Sequence, residues 1–304
     1  MGLLDGKVAV VTGAGRGIGR TEALLLAAEG AAVVVNDVGG SSGGEGSDTR
    51  PAQQVVDEIT AAGGRAAANY DNCATWSGGQ GLIRQAIDVF DRLDILINNA
   101  GILRDRMCFT MEEAEWDAVI AVHLRGAFNV SRATIEHFRN QGSGSYVHFT
   151  STTGLIGNLG QANYAAAKLG VCGLSRILAI EGASKNIRSN VIAPFAWTRM
   201  TSSIPITDEA SAIRVGRMRD GMRSDQVAQL SIALCADGAQ DVSGQIFCVR
   251  GDEVILFSQP RPVASIARAD GWTPQRLLEG GLASLKPRFT DLGVSASVFP
   301  YDPI

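Results

Sequence analysis

Short, nearly continuous apolar runs recur through the first 250 residues, each ending in glycine or polar residues. They read "KVAVVT" (Lys7–Thr12), "AAVVVND" (Ala31–Asp37), "RAAANYD" (Arg65–Asp71), "LDILINNAG" (Leu93–Gly101), "SYVHFTS" (Ser145–Ser151), "IRSNVIAP" (Ile187–Pro194) and "QIFCVRG" (Gln245–Gly251). A strand with one wet face alternates apolar and polar residues, and these runs do not. The pattern therefore predicts strands buried on both faces, with helix-like segments between most of them. Parallel neighbours need right-handed crossovers, so the expected fold is a doubly wound α/β parallel sheet, one domain over about residues 1–250. After Gly251 proline increases and the alternation fades. There "TPQRLLEGGLASL" predicts one helix, with Thr273 as cap and Pro274 at its first position. Residues 251–304 are expected to form a C-terminal extension packed across a subunit interface. The alternative is a cover for the chain's own active site.

Composition narrows the class. The 304 residues are 45% hydrophobic and 19% charged, ample for one large core. No apolar run reaches the length of a membrane span, and "MGLLDGKVAVVTGAGRG" lacks the basic start and small-residue cleavage site of a secretory signal. A cytoplasmic protein is expected. A net charge of −4 argues against nucleic acid as the main partner. The five cysteines are odd in number and form no C-x-x-C pair, so reduced, buried thiols are expected. The three histidines lie far from any cysteine pairing, and no metal site is expected.

The first strand runs into "TGAGRGIGR", with Gly13, Gly15, Gly17 and Gly19 around Arg16 and Ile18. A Rossmann-type turn of this kind brings backbone N–H groups to a pyrophosphate at a helix N-terminus, where a Cβ would collide. Asp37 ends the second strand, 18 residues beyond Gly19. A carboxylate there accepts hydrogen bonds from ribose hydroxyls and repels a 2′-phosphate, so NAD is expected rather than NADP. A capped strand end is the other reading of Asp37.

In "GQANYAAAKLG", Tyr164 and Lys168 share one helix face at i and i+4. Ser151 lies 13 residues upstream, at the carboxyl end of a predicted strand, which in a parallel sheet faces the ligand crevice. A phenol with an ordinary pKa of ~10 serves as a base near neutrality only if that value falls by about 3 units. A fixed ammonium and a cationic nicotinamide favour the phenolate. Ser151 is placed to hold a substrate oxygen.

With "TGAGRGIG", "NNAG" at Asn98–Gly101, Ser151 and Tyr164-x-x-x-Lys168, the chain resembles the classical short-chain dehydrogenase/reductase family over about residues 5–250. The resemblance implies a Ser–Tyr–Lys site in which Lys168 also bonds the nicotinamide ribose. It implies that Asp71, with Asn72 beside it, meets the adenine amino group. It further implies that Asn98, Asn99, Ala100 and Gly101 support the adenosine side, and that Pro194 and Thr198 hold the carboxamide. The sequence departs from the family at two places. His123 stands where the family carries an asparagine that holds a relay water through its backbone carbonyl, a role His123 can keep. Phe195 replaces the glycine that often follows the proline.

"VVNDVGG" with its Gly/Ser insertion, "NNAGILRDRMCF", "VHLRGAF", "GNLGQANYAAAKLG" and "NVIAPFAWTRMT" resemble one branch of the family. It holds the (3R)-hydroxyacyl-CoA dehydrogenase units of multifunctional enzymes type 2, 17β-hydroxysteroid dehydrogenases type 4 and bacterial single-domain relatives. This implies NAD-dependent oxidation of a (3R)-3-hydroxyacyl-CoA, with a hydroxysteroid as the rival substrate. A non-catalytic NAD-binding scaffold is a remote third reading. A homo-dimer or homo-tetramer acting on a small molecule is implied, with no membrane partner. Residues 195–224 are expected to be a substrate lid, with Trp197 and Met200 as apolar wall. Arg199, Arg214, Arg217, Arg219 and Arg223 either meet CoA phosphates or form a solvated basic helix. Arg104, Asp105 and Arg106 are expected to make structural ion pairs, and Trp116 and Trp272 to pack. The insertion Gly39–Ser47 is expected to be a mobile loop beside the adenosine.

Overall fold

The computed structural model describes residues 2–198, 201 and 207–302, apart from the side chains at 210, 211 and 214. Arg199, Met200 and the Arg214 side chain therefore lie outside the described residues.

Every apolar run in the sequence becomes a strand. They are β1 (Val8–Thr12), β2 (Ala32–Asn36), β3 (Arg65–Asn69), β4 (Ile95–Asn98), β5 (Gly144–Phe149), β6 (Ile187–Phe195) and β7 (Ile246–Arg250). Between them run α1 (Gly17–Ala28), α2 (Arg50–Ala61), α3 (Trp76–Phe90), α4 (Glu113–Ile120), α5 (Gly126–Gln141), the short α6 (Thr152–Leu155), α7 (Ala162–Gly182), α8 (Glu209–Gly221) and α9 (Ser224–Cys235). An eighth strand, β8 (Glu253–Leu256), folds back antiparallel on β7 and closes the order β3-β2-β1-β4-β5-β6-β7-β8. β1 to β7 are mutually parallel.

Alternate residues of β1 explain why its run does not alternate in polarity. Ala9 and Val11 pack with α1, α2 and α9. Val8 and Val10 pack on the other face with α3, α5 and α7. The chain first moves outward through β2 and β3, then returns to place β4 on the other side of β1. Thr12 consequently stands level with Asn36 on one flank and Asn98 on the other. A crevice opens at such a reversal, outside the carboxyl ends of the strands.

Beyond β8 the predicted helix forms as one continuous helical stretch over 274–288, with a π-helical turn at Leu277–Gly281, and a short helix follows at Ser295–Val298. Thr273 caps the first of these, accepting from the Arg276 amide at 3.3 Å, with Pro274 at its first position. The last described residues return to their own domain. Ser295 donates its amide and hydroxyl to the Gly157 carbonyl, at 3.1 and 3.2 Å. Phe299 packs on Phe195 and Phe257. Arg250, nearly fully buried, donates to the Tyr301 carbonyl and lies over the Tyr301 ring, 4.6 Å from its centroid. These contacts seat the end of the extension on the chain after α6, the end of β6 and β7. Four cysteines are buried, but Cys108 is exposed, against expectation. Trp116 and Trp272 also remain over a third exposed, so neither is a core residue.

Candidate active site

The glycine turn is built mainly by what the protein itself brings near. A Cβ on Gly13 would lie 2.8 Å from Ala100 Cα, and one on Gly19 would lie 2.4 Å from Asn99 Nδ2. One on Gly15 would lie 2.9 Å from Asp37 Oδ2. Gly17 has φ +55, and among the described residues a Cβ there would meet Thr198, at 3.6 Å. Gly13, Gly15 and Gly19 are required by packing against β2 and the segment after β4. The cradle they leave is a cleft of about 250 Å³, walled by Gly13, Arg16, Gly17, Ile18, Asp37, Asp71, Asn72, Asn99, Ala100, Gly101 and Thr198. Gly17, exposed at the first position of α1, suits a phosphate group. Gly15 and Gly19 are buried behind this wall, and Pro194 stands at the end of β6 opposite Val249 without joining it.

Thr12 organises the cleft, and sequence reasoning missed it. Its hydroxyl accepts the amides of Asn99 and Ala100, both at 3.1 Å. Asn99 Nδ2 in turn donates to the Thr12 and Gly13 carbonyls at 3.0 Å. The end of β4 is thereby stitched to the glycine turn. Asn98 instead points into the core, towards Ser131 Oγ and His148, so its expected place on the adenosine side is not observed. Asp37 accepts from the Gly15 amide at 2.8 Å and the Gly39 amide at 2.6 Å, one on each carboxylate oxygen. Each oxygen keeps a further lone pair for a ribose hydroxyl.

Ser151 caps α6, its Oγ accepting from the Thr153 amide at 3.1 Å. α7 then carries Tyr164 and Lys168 past the end of β5. Lys168 Nζ donates to the Phe149 carbonyl at 2.8 Å and lies 5.5 Å from the Tyr164 ring centroid. Burial pushes the Lys168 ammonium down to about 7. It pushes the Tyr164 phenol up to about 12, against the lowering effect of the Ser151 hydroxyl and with help from the Asp105 charge. The expectation that Lys168 lowers the tyrosine is thus not met by the chain alone. Desolvation disfavours both charged forms, and the ammonium's own charge is weakened by the same burial. A phenolate here needs further positive charge, which an oxidised nicotinamide carries.

His123 sits in a π-helical turn, Ala121–Arg125, inserted between α4 and α5. Such turns are rare and concentrate at functional sites. Its ring stands edge-on to Tyr164, with centroids 5.1 Å apart. Its Nε2 either accepts from the Ile102 amide at 3.0 Å or donates to the Ile102 carbonyl at 2.8 Å. Burial, then the Lys168 charge, keeps the ring neutral. A void of about 10 Å³ between His123, Lys168, Asn98 and Phe149 is the size of one water. Gly101 exists to admit this ring, since a Cβ there would lie 2.4 Å from His123 Cε1. Gly101→Ala is expected to displace His123 and cut kcat by about tenfold, with a loss of about 2 kcal/mol in stability from overpacking. Steady-state kinetics beside a thermal melt checks this.

The described arginines of the lid region are each paired with a carboxylate: Arg217 with Asp302, Arg219 with Asp220 and Arg223 with Asp225. All three pairs are exposed, and exposed pairs exchange partners cheaply. The Trp197 amide donates to the Met222 carbonyl at 2.7 Å, which ties the chain after β6 to the residue following α8. Arg106 pairs with Glu115 at 2.8 Å and Asp105 accepts from Gln161, as structural partners should. No group of three or more metal-ligating side chains occurs among the described residues, and no helix among them is long and apolar enough to cross a membrane.

This arrangement defines a dinucleotide-dependent oxidoreductase, and comparison with known proteins gives its family. The family model for short chain dehydrogenases matches residues 7–208. A hydroxyacyl-CoA dehydrogenase of Mycobacterium tuberculosis is 41% identical over 288 residues, covering 90% of this chain and 87% of that protein. The peroxisomal multifunctional enzyme type 2 of Mus musculus is 44% identical over 264 residues, 87% of this chain but 34% of the mouse protein. A peroxisomal hydratase-dehydrogenase-epimerase of Neurospora crassa is 42% identical, again over 90% of this chain and 30% of its own length. The chain thus spans about a third of those two relatives. The crystal structure of a short chain dehydrogenase from Mycobacterium avium superposes with a TM-score of 0.83 at 41% identity, covering 96% of this chain and 98% of that one. The chain belongs to the short-chain dehydrogenase family. It is an oxidoreductase of the type that works with a nicotinamide cofactor.

Proposed function

We propose that this chain oxidises (3R)-3-hydroxyacyl-CoA thioesters to 3-oxoacyl-CoA with NAD. The observation that carries the substrate class is the near full-length likeness to a hydroxyacyl-CoA dehydrogenase. The 3R hand rests on the resemblance of the sequence to the dehydrogenase units of multifunctional enzymes type 2. Asp37 supports NAD, because its carboxylate at the ribose end of the cleft repels a 2′-phosphate.

Gly13, Arg16, Gly17 and Ile18 would hold the pyrophosphate, Asp37 the adenosine ribose, Asp71 and Asn72 the adenine, and Lys168 the nicotinamide ribose. The nicotinamide ring, when bound, supplies the hydride acceptor. Ser151 donates a hydrogen bond to the substrate oxygen and fixes the carbinol beside Tyr164. Tyr164 Oη takes the hydroxyl proton as the carbonyl forms. Lys168, held by the Phe149 carbonyl, places its amino group beside the phenol ring. His123 fixes the Tyr164 ring edge-on. Orientation and preorganised charge carry the rate.

The test follows NADH absorbance with purified protein and (3R)- or (3S)-hydroxyacyl-CoA, a 17β-hydroxysteroid, and NAD or NADP. Turnover of the 3R thioester with NAD, at least about a hundredfold above NADP (about 2.7 kcal/mol), is expected. Steroid turnover with an idle thioester would overturn the substrate, and equal rates with NADP would overturn the role of Asp37.

A further inference from the structure

The insertion after Asp37, expected to be mobile, is folded and docked. Ser41 and Glu45 close a turn, with the Ser41 amide donating to the Glu45 carbonyl at 2.8 Å and the Glu45 amide to Ser41 Oγ at 3.1 Å. At its root, Asp37 accepts from the Gly39 amide and the Asp48 amide donates to the Val38 carbonyl at 3.0 Å. At its tip it meets the segment that follows β4. The Leu103 amide donates to the Ser42 carbonyl at 3.0 Å. Arg104 Nε donates to the Gly43 carbonyl at 3.0 Å, and Arg104 Nη2 approaches Glu45 Oε1 at 3.8 Å. Gly44, at φ +84, sits against Ile102, where a Cβ would come within 3.1 Å of Ile102 Cδ1.

Two consequences follow from where this loop lies. Gly40, Ser41, Ser42 and Gly44 line the same cleft as Gly17, Asp37 and Ala100, so the loop bridges the dinucleotide cleft from the end of β2 to the chain beyond β4. The segment it grips also leads to the reacting side. The Arg104 carbonyl accepts from Asn163 Nδ2 at 2.9 Å, next to Tyr164, and Ile102 holds His123.

We propose that Arg104 is a positioning residue that latches the Gly39–Ser47 loop across the cleft and so sets how long the dinucleotide stays bound. The inference rests on the reading that the dinucleotide occupies this cleft. A loop with glycines at 39, 40, 43, 44 and 46 loses much conformational entropy when ordered, and few contacts hold it down. The ion pair to Glu45 is long, and Glu45 is mostly exposed, so it adds little. The hydrogen bond from the guanidinium to the Gly43 carbonyl is charge-assisted and partly buried, and it is the stronger half of the latch. A dinucleotide leaving the cleft must lift the loop, and loop opening limits release in many enzymes.

The experiment is stopped-flow release of NADH from its binary complex, read by NADH fluorescence and without substrate. Amide hydrogen exchange over residues 39–47 of the protein alone accompanies it. Arg104→Ala is expected to raise the NADH dissociation rate about tenfold and to speed exchange in the loop. KM for NAD should rise while kcat holds or increases. Arg104→Lys should recover part of the slow release, and Glu45→Gln should change it less than about twofold. A stable Arg104→Ala whose release rate and loop exchange match the wild type would sink the latch. If Arg104→Ala does not fold, the milder Arg104→Gln carries the same two measurements. Wild-type protein that binds no NADH in this assay would instead reject the cofactor reading beneath it.

Discussion

Tyr164→Phe is expected to lower kcat by about a thousandfold while leaving NADH binding within about twofold. Phenylalanine keeps the ring that packs edge-on against His123 and the face that looks towards Lys168. Only the hydroxyl is lost, so the fold has no reason to change. The hydroxyl is hydrogen-bonded to Ser151, where it can take a proton from the substrate. The phenol stands at about 12 because burial raises it, so wild-type rate should climb with pH through the neutral range as phenolate becomes more populated. That slope should vanish from whatever activity the variant retains. A variant that keeps more than a tenth of the wild-type kcat would remove Tyr164 from the role of base.

The strands were legible because a parallel sheet buries both faces of each strand, and nothing else makes such runs recur with helices between them. The switch point followed from topology rules, and with it the neighbourhood of Gly17, Ser151 and Lys168. Four features were not legible, three of them for a tertiary reason. Glu22 reads as a surface residue of α1, yet it is buried against α9, hydrogen-bonded to Ser231 at 2.6 Å, and pushed by burial up to about 8. Its partner lies 209 residues away, beyond the reach of any periodicity. The Gly/Ser insertion has the composition of a mobile loop, and only its seat on Ile102, Leu103 and Arg104 orders it. The tyrosine was expected low because its charged neighbour was visible in the sequence, whereas burial, the larger cause, was not. β8 escaped notice as a four-residue edge strand of alternating burial, too short to stand out from a proline-rich tail.

Lys168→Met should separate stability from activity. The ammonium is buried, and burial lowers it from the ordinary 10.5 to about 7. In the unfolded chain it titrates normally at ~10.4, so between about 7 and 10 the unfolded state binds more protons than the folded one. Wild-type stability therefore carries the full penalty below pH 7 and recovers as pH rises towards 10. A shift of this size corresponds to at most ~4–5 kcal/mol, and loss of the hydrogen bond to the Phe149 carbonyl returns about 1 kcal/mol or more. Methionine matches the length of the stem and carries no charge. The expected net gain is about 2 kcal/mol at pH 6.5, or a melting temperature higher by about 4 °C, fading by pH 9.5. Over the same range kcat should fall at least a hundredfold (about 2.7 kcal/mol), because nothing else among the described residues places a positive charge beneath the phenol. Calorimetry at the two pH values beside steady-state rates decides it. An equal gain at both pH values would mean that packing, not desolvation of the ammonium, governs this position, and a loss at both would mean that the bond to Phe149 outweighs the buried charge.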